Sequence, residues 1–519
     1  MNERHLGSRP WQSPVLWLMV AYVLVYALTR WYQLTLLPVH FDEIVYLDRV
    51  NRMISRYDFF IGLRDDLRTG HLWIIALLWP FSPDWLWVGR FASTLAGILA
   101  GLGVYKSGTL LFSDRRTGLI AAAFYLIVPG VLFYDRMALA DSLLTACGVW
   151  IVYGVSVYVL TGEDRPLWWL GLVMALAMIT KPNGFVFLAV PVLGYLCLRR
   201  DTWSTKQVTG MALPLAIGGG LSFALMLPFL SKNRGMLWGK AGASGIIGWG
   251  DWADRFAQNL SISAGWLVGL LALPIIGLAG CGMVFGLGSR QARRQTLFLA
   301  LVWSVQWLFS ASVSEIWYPR YLLPVAPEVV LLAAYAASKF AKLFPRAPWQ
   351  AMLAVVLAAS TWPIAHVDFW LLAYPPRASL HPEERRQYVT GWPSAYGLAE
   401  VASFVQSLAA QYPLVYVVYN ENNVMLRKGL RYYLPDAPSN VKLEKFDPFE
   451  GGTIEKLDAW AADRPTFVVL NTANEKGLDD FILNPEAFPQ ARHVLSVPRP
   501  GGMTSWDVYQ WLARDEADQ

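Results

Sequence analysis

Long apolar runs alternate with short polar segments along the first 373 residues, after which the sequence turns polar. A helix that crosses the hydrocarbon core of a bilayer needs roughly 20 mostly apolar residues. On this criterion we predict about eleven membrane-spanning helices, near 14–34, 85–112, 117–134, 138–160, 166–180, 183–198, 207–230, 262–287, 296–313, 318–340 and 350–373. The pattern therefore predicts a polytopic α-helical membrane protein.

Two features interrupt this pattern. The runs 166–180 and 183–198 are short, and Lys181-Pro182-Asn183-Gly184 separates them. The apolar piece 71–81 lies in the long loop of residues 35–84 that follows the first span. Its length is more typical of a helix lying at the membrane interface than of a crossing.

Basic residues in short loops indicate the cytoplasmic side of a membrane protein. They occupy alternate loops here: Arg4 and Arg9; Arg115 and Arg116; Arg199, Arg200 and Lys206; Arg290, Arg293 and Arg294; Lys339, Lys342 and Arg346. Eleven crossings put every cluster on the N-terminal side, whereas a crossing at 71–81 would turn the later clusters outward. We therefore expect a multi-pass protein of the plasma or inner membrane, with a cytoplasmic N-terminus and an extracytoplasmic C-terminal domain.

Composition supports this assignment, since only 16% of the residues are charged and 25 are Trp. Soluble domains carry about 25% charged residues, and Trp favours membrane interfaces. The net charge of the chain is +5, although its C-terminal segment, 375–519, is acidic. The excess of basic residues therefore belongs to the loops between the predicted spans. Topology explains that excess, and no nucleic-acid partner is predicted. Cysteine spacing predicts neither a disulfide framework nor a metal site.

Residues 375–519 are expected to form a small extracytoplasmic α/β domain, separate from a transmembrane domain of residues 1–374. A helical period covers Ala399–Ala409, and short β-branched or aromatic runs predict strands near 414–419, 466–470, 494–497 and 506–511. Such a domain could cover the membrane part as a lid, or it could recognise an acceptor.

The first outer loop carries two adjacent carboxylates, Asp42 and Glu43, just beyond the first span. Carboxylates close to hydrocarbon are costly and often functional. They could serve as a general base or bind a cation. Alternatively, they are solvated charges at the positive end of a helix dipole.

Three other predicted outer loops add charges to the same face of the membrane. Arg136 and Asp141 lie in the second, Lys181 in the third and Arg320 in the fifth. Three of them also have a structural interpretation: Asp141 as a helix cap, Lys181 as a snorkelling lysine and Arg320 as an interfacial anchor. Carboxylates and cations together suit transfer from a phosphate-bearing lipid. A transporter or lipid flippase is the alternative, although the broken helix at Lys181 has no counterpart in the second half of the chain.

The order of these features resembles the membrane-embedded clan C glycosyltransferases, most closely glycosyltransferase family 39. That group contains the protein O-mannosyltransferases and the related lipid A aminoarabinose transferases. The matching segments, spread over residues 14–340, are Asp42-Glu43, Gly89-Arg90-Phe91, the stretch 134–141 (YDRMALAD), Thr180-Lys181-Pro182 and the stretch 319–324 (PRYLLP). Relatives often have proline where this chain has Ala140, and Lys-Gly-Pro where it has Lys-Pro-Asn.

The resemblance implies a cell-envelope enzyme that moves a hexosyl or pentosyl group from a polyprenyl-phosphate donor, on the extracytoplasmic side and with inversion. The acceptor would be a lipid, a glycan or a protein, although the absence of repeated carbohydrate-binding modules argues against protein O-mannosylation. It implies Asp42 as the catalytic carboxylate with Glu43 beside it, and Asp141 as the second acid. Arg136, Lys181 and Arg320 would bind the donor phosphate. Some relatives use a divalent cation, for which Asp42 and Asp141 would be the candidate ligands, with His40 or His71 nearby.

Overall fold

The computed structural model describes residues 14–199, 205–230, 249–343, 346–420, 424–434, 438–446, 453–471 and 488–513. Three residues of the predicted basic clusters, Arg4, Arg9 and Arg200, lie outside the described residues. The chain divides into two compact units. The first comprises Met1–Leu34 and Arg49–Tyr374, and the second comprises Thr35–Asp48 and Pro375–Gln519.

Helices make up the first unit, which also contains the end of α2. In chain order the α-helices are α1 (Pro14–Trp31), α2 (Phe41–Ser55), α3 (Ile61–Asp66), α4 (Gly70–Leu78), α5 (Trp85–Phe112), α6 (Arg115–Ile127), α7 (Pro129–Tyr134), α8 (Asp141–Thr161), α9 (Arg165–Thr180), α10 (Ala189–Leu198), α11 (Thr205–Leu230), α12 (Trp252–Leu271), α13 (Leu273–Gly288), α14 (Arg293–Val313), α15 (Ala326–Leu343) and α16 (Ala347–Ala373). Short 3-10 helices cover Trp79–Phe81, Pro182–Leu188, Trp249–Asp251 and Pro319–Val325.

Most of these helices coincide with predicted spans, and the polytopic helical architecture is confirmed. Within the described residues, five helical segments are long and apolar enough to cross a membrane, and the bent pair α12–α13 makes a sixth. Four shorter apolar helical segments accompany them, among them the one at Gly70–Phe81. The total of eleven crossings stays a prediction.

Two predicted spans are each divided into two α-helices. The span 117–134 is divided between α6 and α7, where Pro129 begins a new helix. The span 262–287 is divided at Ala272, which has a φ of 65°, and α12 and α13 meet there at 105°. Proline lacks the N–H that would continue the preceding helix, and Pro274 lies at the start of α13. Apolar length alone does not detect such breaks.

A five-stranded mixed sheet forms the core of the second unit and confirms the predicted α/β fold. Its strands are β1 (Val415–Asn420), β2 (Val441–Phe446), β3 (Thr466–Asn471), β4 (Ala491–Pro498) and β5 (Ser505–Trp511), and its helices are α17 (Pro382–Arg385), α18 (Leu398–Gln411), α19 (Val424–Tyr433) and α20 (Thr453–Asp463). The order is β2-β1-β3-β5-β4, with β1 parallel to β2 and β3, and β5 antiparallel to β3 and β4. The sequence missed β2, an edge strand in which three of six residues are charged.

The second unit also includes Thr35–Asp48, which the sequence placed in the membrane domain. The N–H of Phe41 donates to the carbonyl of Pro393 over 3.0 Å, and the N–H of Ala395 donates to that of Val39 over 3.3 Å. Farther along α2, the Lys428 ammonium lies 2.6 Å from the Asp48 carboxylate. The start of the first outer loop is therefore joined by hydrogen bonds to the C-terminal domain.

Candidate functional site

Asp42 and Glu43 occupy the first turn of α2 but have different environments. The Glu43 carboxylate is fully buried and accepts a hydrogen bond from the backbone N–H of His40 over 2.9 Å. This contact is one half of a capping box, which stabilises a helix N-terminus. Asp42 is half-buried at the same helix end, where the helix dipole favours an ionised carboxylate. The geometry thus gives Glu43 a structural role and makes Asp42 the better candidate for chemistry.

His40 fixes the position of this helix start within the second unit. Its ring nitrogen Nδ1 accepts from the N–H of Asp42 over 3.2 Å, and its Nε2 lies 3.4 Å from the amide oxygen of Gln387. The ring packs against Tyr388 with 4.4 Å between the centroids. The Asp42 backbone is therefore held by residues of the polar C-terminal segment.

A separate cluster in the first unit contains Asp141 and Lys181. Asp141 begins α8, and Lys181 follows the last residue of α9. Both side chains are buried, and the ammonium Nζ lies 2.5 Å from Oδ1 of the carboxylate. Removing two charges from water is costly, so a gain in stability does not by itself explain a buried ion pair of this kind. The structure thus joins two predicted site residues that are 40 positions apart.

Arg320 lies in the 3-10 helix Pro319–Val325 and belongs to the same cluster through Tyr321. The ring of Tyr321 has the Lys181 ammonium 3.8 Å from its centroid and the Arg320 guanidinium 5.5 Å from it. Arg320 also lies 4.3 Å from the ring of Tyr318. Aromatic faces hold cations without neutralising them. The ring of Tyr321 therefore lies beside both Lys181 and Arg320.

Burial and neighbouring charges shift the pKa of Lys181. Burial lowers the pKa of Lys181 to about 8; the charges of Arg320 and Arg68 lower it too, while Asp141 raises it. An anion bound close to Lys181 would raise this pKa and favour the charged ammonium. Arg68 was not among the predicted site residues, although it lies directly before Thr69-Gly70-His71 in the first loop.

His71 also reaches the cluster, at the start of α4. Burial lowers the pKa of His71 to about 4, against the raising effects of Asp141 and of a hydrogen bond to the backbone of Ala138. The imidazole is therefore neutral at pH 7 and adds no charge. In the described part of the chain, no group of three or more His, Cys, Asp or Glu side chains is placed to hold a metal ion.

This chain departs from the family motifs at Ala140 and in the sequence Lys-Pro-Asn-Gly, and the backbone conformation explains both departures. Ala140 has a φ of −69°, the value that proline would impose, so the turn before Asp141 keeps its shape. In the turn after α9, a Cβ on Gly184 would collide with the carbonyl oxygen of Ala177. Asn183 donates to Ser310 over 3.1 Å and ties this turn to α14. The Lys-Pro-Asn-Gly sequence therefore fixes a tight turn that presents Lys181.

Arg136 lies outside this cluster of cations. Its guanidinium donates to the carbonyls of Thr29, Arg30, Tyr32 and Gln33, at 2.8 to 3.2 Å. These are carbonyls at the C-terminal end of α1, which have no partners within the helix. The geometry favours a capping role for Arg136 over binding of a phosphate.

Part of the chain matches a known protein family. Residues 69–231 match the family model described as "Dolichyl-phosphate-mannose-protein mannosyltransferase". Two curated relatives, from Yersinia enterocolitica and Yersinia pestis, are named undecaprenyl phosphate-alpha-4-amino-4-deoxy-L-arabinose arabinosyl transferase. The first is 28% identical over 329 residues (59% of this chain, 56% of the relative), and the second is 27% identical over 340 residues (61% and 58%). The chain thus spans less than two thirds of the length of these relatives.

Solved structures give a likeness over almost the whole chain. ArnT from Cupriavidus metallidurans in the apo state has a TM-score of 0.61 at 16% identity, covering 96% of this chain and 98% of that one. Its complex with undecaprenyl phosphate gives 0.60 at 15% identity, with coverages of 98% and 99%. The Archaeoglobus fulgidus oligosaccharyltransferase gives 0.53 at 12% identity, with coverages of 96% and 75%. The chain has the fold of the clan C membrane glycosyltransferases, and the resemblance carried by its motifs is confirmed.

Proposed function

We propose that this chain, with its clan C glycosyltransferase fold, transfers a sugar from a polyprenyl-phosphate donor to an acceptor on the extracytoplasmic side of the membrane. The observation that carries the proposal is the buried Asp141–Lys181 pair beside Arg320. Asp141 and Lys181 lie within the stretch that matches the family model. The names of the curated relatives favour an aminoarabinose-type pentose on undecaprenyl phosphate as the donor.

Cations are needed because negative charge develops on the phosphate as the bond to the sugar breaks. The donor phosphodiester carries one negative charge, and breaking its bond to the sugar leaves a polyprenyl monophosphate with a second one. Preorganised cations in a buried site stabilise such developing charge strongly. Lys181 and Arg320 would bind the phosphate, while Asp141 would orient Lys181. Arg136 has no direct role in this scheme, because its donors cap α1.

Asp42 supplies the base in this scheme. An inverting transfer needs one carboxylate to accept the proton of the acceptor group that attacks the anomeric carbon, on the face opposite the phosphate. The motif match assigns this role to Asp42, and its side chain is half-buried at the N-terminus of α2. Glu43 would hold the helix start through His40. No step is assigned to a metal ion.

The function is tested with purified protein in liposomes that contain labelled undecaprenyl-phosphate aminoarabinose and lipid A as acceptor. We expect label in the acceptor and release of undecaprenyl phosphate. Polyprenyl-phosphate mannose serves as the comparison donor. Movement of an intact donor across the sealed vesicle, without a new bond to the sugar, would instead establish the flippase alternative.

The proposed orientation predicts opposite results for two reporter fusions. Alkaline phosphatase joined after Gln519 should be active, because we expect the C-terminal domain to be extracytoplasmic. The same enzyme inserted between α13 and α14, beside Arg290, should be silent, because basic loops favour the cytoplasm. Activity of the second fusion with silence of the first would reverse the proposed topology.

A further inference from the structure

A second charged site lies in the first unit, away from Asp141 and Lys181. It is a cavity of about 900 Å³ where α5 ends, α6 begins and α15 ends against the loop between α13 and α14. Four cations line it: Arg290, Arg294, Lys339 and Lys342. The only carboxylate among the described lining residues is that of Asp114. The proposed transfer reaction assigns no task to this cavity.

Asp114 neutralises only one of these cations. Its carboxylate accepts from Lys342 over 2.9 Å, from Ser338 over 2.8 Å and from Thr117 over 3.0 Å. Burial alone would raise the pKa of Asp114, but these hydrogen bonds outweigh it and lower the pKa to about 2. The carboxylate is therefore ionised at neutral pH. An excess of three positive charges remains around the cavity.

Two buried side chains on the cavity wall point to a ligand. Gln295 and Tyr335 are 7% and 5% exposed, and both line the cavity. Within the described part of the chain, neither the amide oxygen of Gln295 nor the hydroxyl of Tyr335 has a hydrogen-bond partner. Leaving buried polar atoms unsatisfied is costly. A ligand with an acceptor for Tyr335 and a hydroxyl donor for Gln295 would remove that cost.

This cavity and the Lys181 cluster lie at opposite ends of one helical segment. Arg320 is near the start of the segment, in Pro319–Val325, and Lys342 is near the end of α15. An 18-residue α-helix is about 27 Å long, close to the thickness of the hydrocarbon core. The two sites are therefore separated along this segment by about the thickness of the hydrocarbon core of a bilayer.

We propose that this cavity binds a phosphate ester that also carries hydroxyl groups, the chemistry of an anionic glycerophospholipid headgroup. The cations bind the phosphate oxygens, Tyr335 donates to one of them, and Gln295 accepts from a hydroxyl. The inference concerns binding only, so it stands or falls independently of the transfer reaction and of the proposed orientation.

Binding is measured on the full chain in detergent by native mass spectrometry, with short-chain phosphatidylglycerol as the probe. Short-chain phosphatidylcholine and glycerol 3-phosphate are the comparison ligands. The double variant Arg290→Ala/Lys339→Ala should bind phosphatidylglycerol at least about tenfold more weakly, as expected for the loss of one charge-assisted hydrogen bond. Tyr335→Phe should weaken it too. Arg293→Ala is the matched control, since Arg293 is a neighbouring cation that does not line the cavity.

The two sources of phosphate give distinct results, and both support the site. Tight binding of phosphatidylglycerol with weak binding of glycerol 3-phosphate identifies a lipid, whereas equal binding of the two identifies a soluble phosphate ester. Equal affinity of phosphatidylcholine and phosphatidylglycerol would overturn the proposal. Unchanged binding in the double variant, or an equal loss in Arg293→Ala, would also overturn it, because the basic surface would then act without a specific site.

Discussion

The Asp42→Asn variant should lose transfer activity by a factor of about 10² to 10⁴, the usual contribution of a general base. Asparagine has nearly the same shape and is well tolerated at a helix N-terminus, so the variant should insert and unfold like the parent protein. The initial rate of transfer from a polyprenyl-phosphate donor measures the effect. A thermal unfolding curve in detergent verifies the fold.

Glu43→Gln is the matched control for this prediction. Its amide oxygen can still accept from the N–H of His40, so the cap of α2 is retained. We expect an activity loss of less than about tenfold, because a weakened cap is worth about 1 kcal/mol. Full activity in Asp42→Asn, or a large loss in Glu43→Gln alone, would show that the two carboxylates have been assigned the wrong way round.

Replacing Lys181 by Met should have the second largest effect, on both stability and activity. It leaves the buried carboxylate of Asp141 without its ammonium partner at 2.5 Å. Breaking a buried pair in this way costs about 3–5 kcal/mol. It also removes one of the two cations proposed to stabilise the departing phosphate. Thermal unfolding and the transfer rate are measured in parallel.

The double variant Asp141→Asn/Lys181→Met separates the two effects. Removing both charges should restore most of the lost stability, since replacing a whole buried pair is often neutral. Activity should stay low, because the phosphate still lacks its cation. Recovery of activity together with stability would mean that the pair is purely structural. Lys206→Met is the control, because Lys206 is 80% exposed and its pair with Asp164 is expected to contribute little.

Hydropathy and charge were sufficient to predict most of the helices. The predicted span 85–112 coincides with α5, and the predicted break at Lys181 separates α9 from the next helix. These features depend on windows of about 20 residues, which the sequence displays directly. The bend at Ala272 was not visible in that way, because a positive φ in a non-glycine residue has no signature in hydropathy. The charged edge strand β2 was missed for a similar reason, since its hydrophobic pattern is weak.

For the site, sequence patterns identified candidate chemical groups but left most of them with a structural alternative. Spacing could not distinguish Asp42 from Glu43, because the difference lies in the hydrogen bond that Glu43 accepts from the N–H of His40. Nor could spacing show that the Arg136 guanidinium donates to four carbonyls at and just after the end of α1, about a hundred residues earlier in the chain. These contacts favour a capping role for Arg136.

Local properties of the chain thus specify a polytopic helical protein with a small α/β domain. Burial in lipid and helical periodicity both produce patterns that can be recognised in consecutive residues. Contacts between distant residues decide which charges act together. Lys181 meets Asp141 across 40 positions, and residues 35–48 join the C-terminal unit through hydrogen bonds near Pro393. Such pairings depend on how helices and loops pack in three dimensions, and the order of residues alone does not encode that packing in any local pattern.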